Sequence, residues 1–212
     1  SWHYADDYTE PIIARMAGAK AWVYTKKNMM WGGRAWIVRS LLASRIIADN
    51  RDMPTLFFNR FWLQKKVSVI PHGVDPEKFK PIEVDHLAYR REKALPLEKI
   101  MVGLVAHLLP IKGHDILIAA AAQCPEVHLV FAGRTNDKVY FALLKNHINQ
   151  LGLESRVHFI GNVEDVPGFI AQMDIIVLPT KKQGEGCPVA LLEAMACGKA
   201  CIATDVPGSR DI

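Results

Sequence analysis

Apolar and polar positions change rhythm along this chain of 212 residues, and from residue 99 onward the rhythm is regular. Continuous apolar runs occur at "KIMVGLVA" (99–106), "VHLVFAG" (127–133), "RVHFIGN" (156–162), "DIIVLPT" (174–180) and "ACIATDV" (200–206). Runs this short and unbroken predict strands covered on both faces. Helix-like segments alternate with them at 113–123, 139–152 and 166–173. A fourth, in "EGCPVALLEAMACG" (185–198), has Pro188 at its first helical position and Gly198 just past its end. It is apolar almost all round, which predicts a buried helix. Strands alternating with helices predict an α/β fold, a doubly wound parallel sheet with ligand sites at the carboxyl ends of its strands.

The first third is less regular. "AKAWVYT" (19–25), "RIIAD" (45–49) and "VSVI" (67–70) read as strands, with a helix over about residues 34–44. They predict a thin, incomplete second α/β unit. "VSVIPHGVDPEKFKP" (67–81) runs from a strand into a charged, Pro-flanked stretch and marks a domain boundary. The expected division is a partial N-terminal α/β domain with its linker over 1–78, and a doubly wound C-terminal domain over 79–212.

Composition narrows the class. Half of the residues are apolar, enough for real cores. No apolar run approaches the roughly 20 residues of a membrane span, and the pattern of a secretory leader is not seen. Cys124, Cys187, Cys197 and Cys201 lack zinc-site spacing and read as reduced, mostly buried thiols of a cytoplasmic protein. Residues 1–66 hold 11 Lys/Arg against 5 Asp/Glu, while 67–212 hold 15 against 17. The basic first third suits an anionic partner or an ordinary solvated face equally well. No basic run with interleaved aromatics suggests nucleic acid. "WGGRAWIVRSLLASR" (31–45) mixes Trp31 and Trp36 with Arg34, Arg39 and Arg45. It raises a peripheral contact with anionic lipid on the cytoplasmic face, against the plainer reading of a core helix with exposed arginines.

Three clusters carry the candidate chemistry. In "AHLLPIKGHD", Lys112 and Gly113 open a helix after a strand, and a cation beside free helical N–H groups makes an anion site. The plainer alternative for Lys112 is a solvated loop residue. In "TKKQGEGCP", Gly184 and Gly186 let the backbone approach a ligand, and Glu185 suits neutral sugar hydroxyls. Third, Glu193 sits amid apolar neighbours and needs donors, because a desolvated lone carboxylate costs several kcal/mol. A ribose supplies two adjacent hydroxyls, as in dinucleotide folds; a structural carboxylate paired within the protein is the alternative.

These residues resemble retaining GT-B glycosyltransferases of family 4 (group 1). "EGCPVALLEAMACG" is similar to their Glu-x7-Glu signature. "VIPHGVDPEKFKP", "VAHLLPIKGHD", "LGLESRVHFIGNVEDVP" and "ATDVPGSRDI" follow the family's order and spacing. The resemblance implies a nucleotide-sugar donor and a sugar, lipid-linked or other small acceptor, with retention at the anomeric carbon. It implies Glu185 and Lys112 as catalytic residues, on the donor sugar hydroxyls and on the diphosphate. Glu193 would hold the ribose, and Gly186, Cys187 and Pro188 would offer backbone to diphosphate and sugar. Asn162 and Val163 fall where the base is held, with Arg134 a weaker candidate nearby. Where the family often has Arg this chain has His107. Lys27 stands where many members carry a His that reaches the donor sugar, and His3 falls near the acceptor-side loop.

No metal or other cofactor is expected, since the linker offers only "EVD" (83–85) and no Asp-x-Asp motif. The family also implies further strands before Ser1 and a continuation past Ile212, so the expectation is a fragment with a donor site and little turnover. The alternatives are a non-catalytic nucleotide-sugar-binding remnant and a GT-B sugar-nucleotide epimerase.

Overall fold

The computed structural model describes residues 8–30 and 33–212; His3 and Trp31 lie outside the described residues. The chain forms two compact units. The first takes the chain up to His72 together with Lys182–Pro188 and Asp205–Ile212; the second takes Gly73–Lys181 and Val189–Thr204.

The first unit runs α1 (Thr9–Met16), β1 (Val23–Lys26), α2 (Arg34–Leu42), β2 (Arg45–Ala48), α3 (Met53–Phe57), α4 (Phe61–Gln64) and β3 (Val67–Val69). Its three strands, at the places the sequence predicts, pair in parallel in the order β1-β2-β3. Their core is aromatic, with Trp22, Tyr24, Trp36 and Phe58 packed on Ile46 and Leu63. Two cations are wholly buried in it. Lys26 Nζ donates to the carbonyl oxygen and Oδ1 of Asn28, both at 2.7 Å, and to the carbonyl of Met30. It lies 4.5 Å from the Phe57 ring centroid. Arg39 meets Glu10 at 3.2 Å and stacks over Trp22. These pairings compensate the desolvation that a buried charge otherwise suffers. Of the two readings of the 31–45 stretch, Trp36 and Arg39 follow the core-helix one, while Arg34 and Arg45 are exposed. The helices α3 and α4 span less than two turns each, too short for a helical repeat to show in the sequence.

The second unit runs α5 (His86–Glu92), β4 (Ile100–Val105), a 3-10 turn at Pro110–Lys112, α6 (His114–Ala121), β5 (Val127–Ala132), α7 (Lys138–Gln150), β6 (Val157–Gly161), α8 (Val166–Gln172), β7 (Ile175–Leu178), α9 (Val189–Ala196) and β8 (Ala200–Ala203). All five strands are parallel, in the order β6-β5-β4-β7-β8. Side chains alternate between faces: Leu129 and Phe131 enter one apolar cluster, Val130 and Ala132 the other. Both faces of β5 are therefore covered, which is why the sequence shows unbroken apolar runs. Asp85, Asp137 and Asp165 accept from the first-turn N–H groups of α5, α7 and α8.

Three details differ from the sequence reading. α9 buries only Leu191 and Ala194, while Val189 and Met195 are exposed; it packs along one face, so it is not a helix buried all round. Of the four thiols, all free, only Cys197 is buried, and Cys124 is exposed in the turn after α6. α5, which Asp85 caps, lies before β4 where the sequence reading placed no element. Among the described residues, no helix is long and apolar enough to cross a membrane.

Candidate functional site

In the second unit the strand order reverses between β4 and β7, so the chain leaves their carboxyl ends in opposite directions and opens a crevice. The Lys112–Gly113 turn stands on one side of it. Gly113 has φ +72°, and a Cβ there would lie 1.9 Å from the carbonyl oxygen of Pro179, just beyond β7. Lys181 N–H donates to the carbonyl of Ile111 at 2.9 Å, and its Nζ meets Asp115 at 2.9 Å. Tyr140 donates to the same carboxylate at 3.0 Å. Burial raises the pKa of Asp115, but the hydrogen bonds from Lys181 and Tyr140 outweigh it and hold the carboxyl below its ordinary range. The two loops at the reversal are thus tied together, and Lys112 is held at the start of α6.

A cavity of about 200 Å³ opens at the carboxyl ends of β4, β5 and β6, lined by His107, Gly133, Asn162 and Val163 over Phe169. The structure therefore brings together three of the predicted residues. Arg134 joins them, its Nε 3.4 Å from Asn162 Oδ1. A wider hollow of about 440 Å³, lined by Tyr89, Asp165 and Gln172, shares Asn162 and Val163. Glu193, on α9, is half-buried, and burial raises its pKa against the opposing charge of Lys78. Among the described residues, no side-chain hydrogen bond satisfies its carboxylate.

The loop carrying Glu185, Gly186, Cys187 and Pro188 belongs to the first unit, as does Lys27. A Cβ on Gly186 would lie 1.7 Å from the carbonyl oxygen of Lys27, so the backbone after β1 seats directly against this loop. Glu185 N–H donates to the carbonyl of Pro207 at 3.0 Å.

Three residues beside the loop were not singled out from the sequence. Asn50 donates to the carbonyls of Glu185 and Gly186. Asp49 is almost wholly buried, with His72 Nε2 3.1 Å from its Oδ2. Burial pushes the Asp49 carboxyl up, against the pull of His72 and Lys27. Burial likewise raises the Cys187 thiol. The signal was present in "IIADN": two polar side chains directly after an apolar strand stand where α/β sheets place ligand-side residues. Among the described residues, no group of His, Cys, Asp and Glu side chains is gathered to hold a metal ion.

The chain is similar in sequence and fold to known proteins. The model of a family described as glycosyl transferases group 1 matches residues 85–212. An Escherichia coli protein named UDP-Gal:alpha-D-GlcNAc-diphosphoundecaprenol alpha-1,3-galactosyltransferase is 33% identical over 218 residues, covering 94% of this chain and 55% of its own. The lipopolysaccharide core biosynthesis mannosyltransferase LpsB of Rhizobium meliloti is 30% identical over 145 residues, 66% of this chain and 40% of its own. Among solved structures, Anabaena HepE in complex with UDP superposes with a TM-score of 0.85 at 28% identity, over 96% of this chain and 58% of that one. The WaaG glycosyltransferase, at 21% identity and a TM-score of 0.66, shares the fold. The chain spans about half the length of the curated relatives it matches first.

Proposed function

The chain belongs to the glycosyl transferases group 1 family, and from that membership we propose that it binds a UDP-sugar as part of a glycosyltransferase that acts with retention and without a metal ion. The observation that carries the reading is the cavity at the carboxyl ends of β4, β5 and β6, lined by His107, Asn162 and Val163. Backbone and small side chains there suit a pyrimidine base. HepE, whose complex holds UDP, supports uracil as that base.

In this reading Lys112 pairs with the diphosphate and stabilises charge on the departing nucleotide. Glu193 accepts from the ribose hydroxyls, which supplies the donors that its half-buried carboxylate lacks within the protein. Glu185 holds donor-sugar hydroxyls, the backbone of Gly186, Cys187 and Pro188 faces the sugar and phosphates, and Lys27 stands on the acceptor side. His107 and Arg134 add positive charge or hydrogen-bond donors near the nucleotide. We take the acceptor to be a lipid-linked sugar, as in the name of the E. coli relative. Because the chain spans about half of its relatives, donor binding is the property to test in it.

Calorimetric titration with UDP, GDP and ADP, in EDTA and then in Mg²⁺, tests the proposal on wild type and Glu193→Ala. Metal-independent UDP binding that Glu193→Ala loses is the expected result. Binding of no nucleotide would overturn it, and binding that needs Mg²⁺ would remove the metal-independent part.

A membrane contact fits a second feature. In the first unit a groove of about 340 Å³ is lined by Ile37, Leu56, Phe57 and Leu63 with Arg60. Phe61, Trp62 and Leu41 are exposed, as are Arg34, Arg45 and Lys65. Apolar and aromatic side chains among cations suit anionic lipid on the cytoplasmic face. Sedimentation with phosphatidylglycerol vesicles, reversed by salt, is expected; equal sedimentation with phosphatidylcholine would remove the anionic-lipid reading.

A further inference from the structure

Asn50 stands just after β2, is wholly buried, and uses both ends of its side-chain amide. Oδ1 accepts from the N–H groups of Asp52 at 3.1 Å and Met53 at 3.0 Å, which closes the turn into α3. Nδ2 donates to the carbonyl oxygens of Glu185 at 3.0 Å and Gly186 at 2.8 Å, with Met29 Sδ at 3.2 Å. The amide has one workable orientation. Turned over, it would set its oxygen against two carbonyls and its NH2 against two N–H groups.

A trans peptide carries its C=O and N–H on opposite sides. Fixing the carbonyls of Glu185 and Gly186 on Asn50 therefore turns the N–H groups of Gly186 and Cys187 away from it. Among the described residues neither of these N–H groups meets an acceptor, whereas Glu185 N–H is taken by Pro207. Two successive N–H groups aimed alike form a donor pair for an anionic oxygen, and donors fixed in advance need no reorganisation when charge develops.

We infer that Asn50 is a positioning residue, whose side-chain amide holds the N–H groups of Gly186 and Cys187 as a donor pair for the diphosphate end of a nucleotide-sugar. The inference rests on the UDP-sugar binding proposed above. Asn50 acts through the loop and touches no substrate itself.

Paired titrations with UDP and uridine test it on wild type, Asn50→Ala and Asn50→Ser. The serine variant keeps an oxygen for the turn into α3 but lacks the two-hydrogen donor. UDP affinity is expected to fall on the order of 10- to 100-fold in both variants, as for lost hydrogen bonds to a charged group. Uridine affinity, read by ligand-observed NMR, is expected to stay at the wild-type value. A parallel loss of UDP and uridine would mean general loosening, and no loss of either would mean an idle amide; both overturn the inference. Amide exchange on the wild type is the arm that needs no variant. Gly186 and Cys187 N–H should slow at least about tenfold when UDP binds, since a ligand hydrogen bond blocks their opening, and unchanged exchange overturns the role. Wild type that binds no UDP defeats the proposed function itself. UDP binding lost in Glu193→Ala but intact in both Asn50 variants defeats this inference alone.

Discussion

Gly186 and Lys27 are in direct backbone contact: a Cβ on the glycine would lie 1.7 Å from the lysine's carbonyl oxygen. That carbonyl cannot retreat freely, because the segment after β1 is fixed by Lys26 Nζ on Asn28 and Met30. Gly186→Ala must instead displace the loop of Glu185 and Cys187. The expected cost is about 1–3 kcal/mol of stability, as for overpacking elsewhere. UDP affinity should drop at least about tenfold, which corresponds to 1.4 kcal/mol. Titration beside a thermal melt checks both, and an alanine variant that binds UDP normally would separate this loop from the donor.

Gly113 makes the corresponding contact in the second unit. Its φ of +72° and the 1.9 Å approach of Pro179 O to a Cβ both exclude a side chain. Gly113→Ala is expected to cost roughly 2–4 kcal/mol, combining backbone strain with overpacking. The urea midpoint measures this. A change below about 0.5 kcal/mol, the range of ordinary surface substitutions, would mean that the crevice is looser than its contacts indicate.

How far the sequence foretold these features depends on their range. The five strands of the second unit were legible because burial on both faces leaves an unbroken apolar run, as in Val127–Ala132. Lys112 was legible because strand carboxyl ends can be counted along the chain, whereas Asn162 and Val163 were expected from the family resemblance. Asn50 and His72 were not, since each matters through a residue far away in sequence, Asn50 through Glu185 and His72 through Asp49. Short helices such as α3 and α4 carry less than two turns, so their periodicity cannot emerge. The burial of Lys26 and Arg39 was hidden as well, because aromatic rings and carbonyls satisfy them only after folding.

His114 should impose an acid limb on stability. It is fully buried between Phe131 and Tyr140, and neither ring nitrogen has a hydrogen-bond partner. Burial lowers its pKa from 6.5 to about 4; Asp115 opposes the shift and Lys112 adds to it. The folded state therefore binds fewer protons than the unfolded one between these values. Stability is unaffected above about pH 6.5 and falls as pH drops towards 4, by on the order of 3 kcal/mol for this group. His128 and His158, stacked with ring nitrogens 3.3 Å apart, are lowered too and act in the same direction. His114→Phe is expected to flatten the limb without abolishing it. Urea unfolding at pH 7, 5 and 4 decides, and parallel curves for variant and wild type would refute the assignment.

Glu193 should oppose stability while it serves binding. Burial raises its pKa above the ordinary 4.5, so the folded state favours the protonated form, and Lys78 offsets this only in part. Its contribution is thus most favourable below about pH 4.5 and declines as pH rises through the raised value, leaving an ionised, poorly solvated carboxylate at neutral pH. Glu193→Gln removes that charge and keeps the shape. The variant is expected to melt higher than wild type at pH 7 without ligand, with the gain vanishing near pH 4. The same variant should bind UDP at least about tenfold more weakly, because a charged acceptor gives stronger hydrogen bonds to ribose hydroxyls than an amide does. Adding UDP should then reverse the order of the two melts, since ligand stabilises in proportion to its affinity. A glutamine variant that is less stable at pH 7 would instead identify Glu193 as a structural carboxylate, and the ribose role would fall with it.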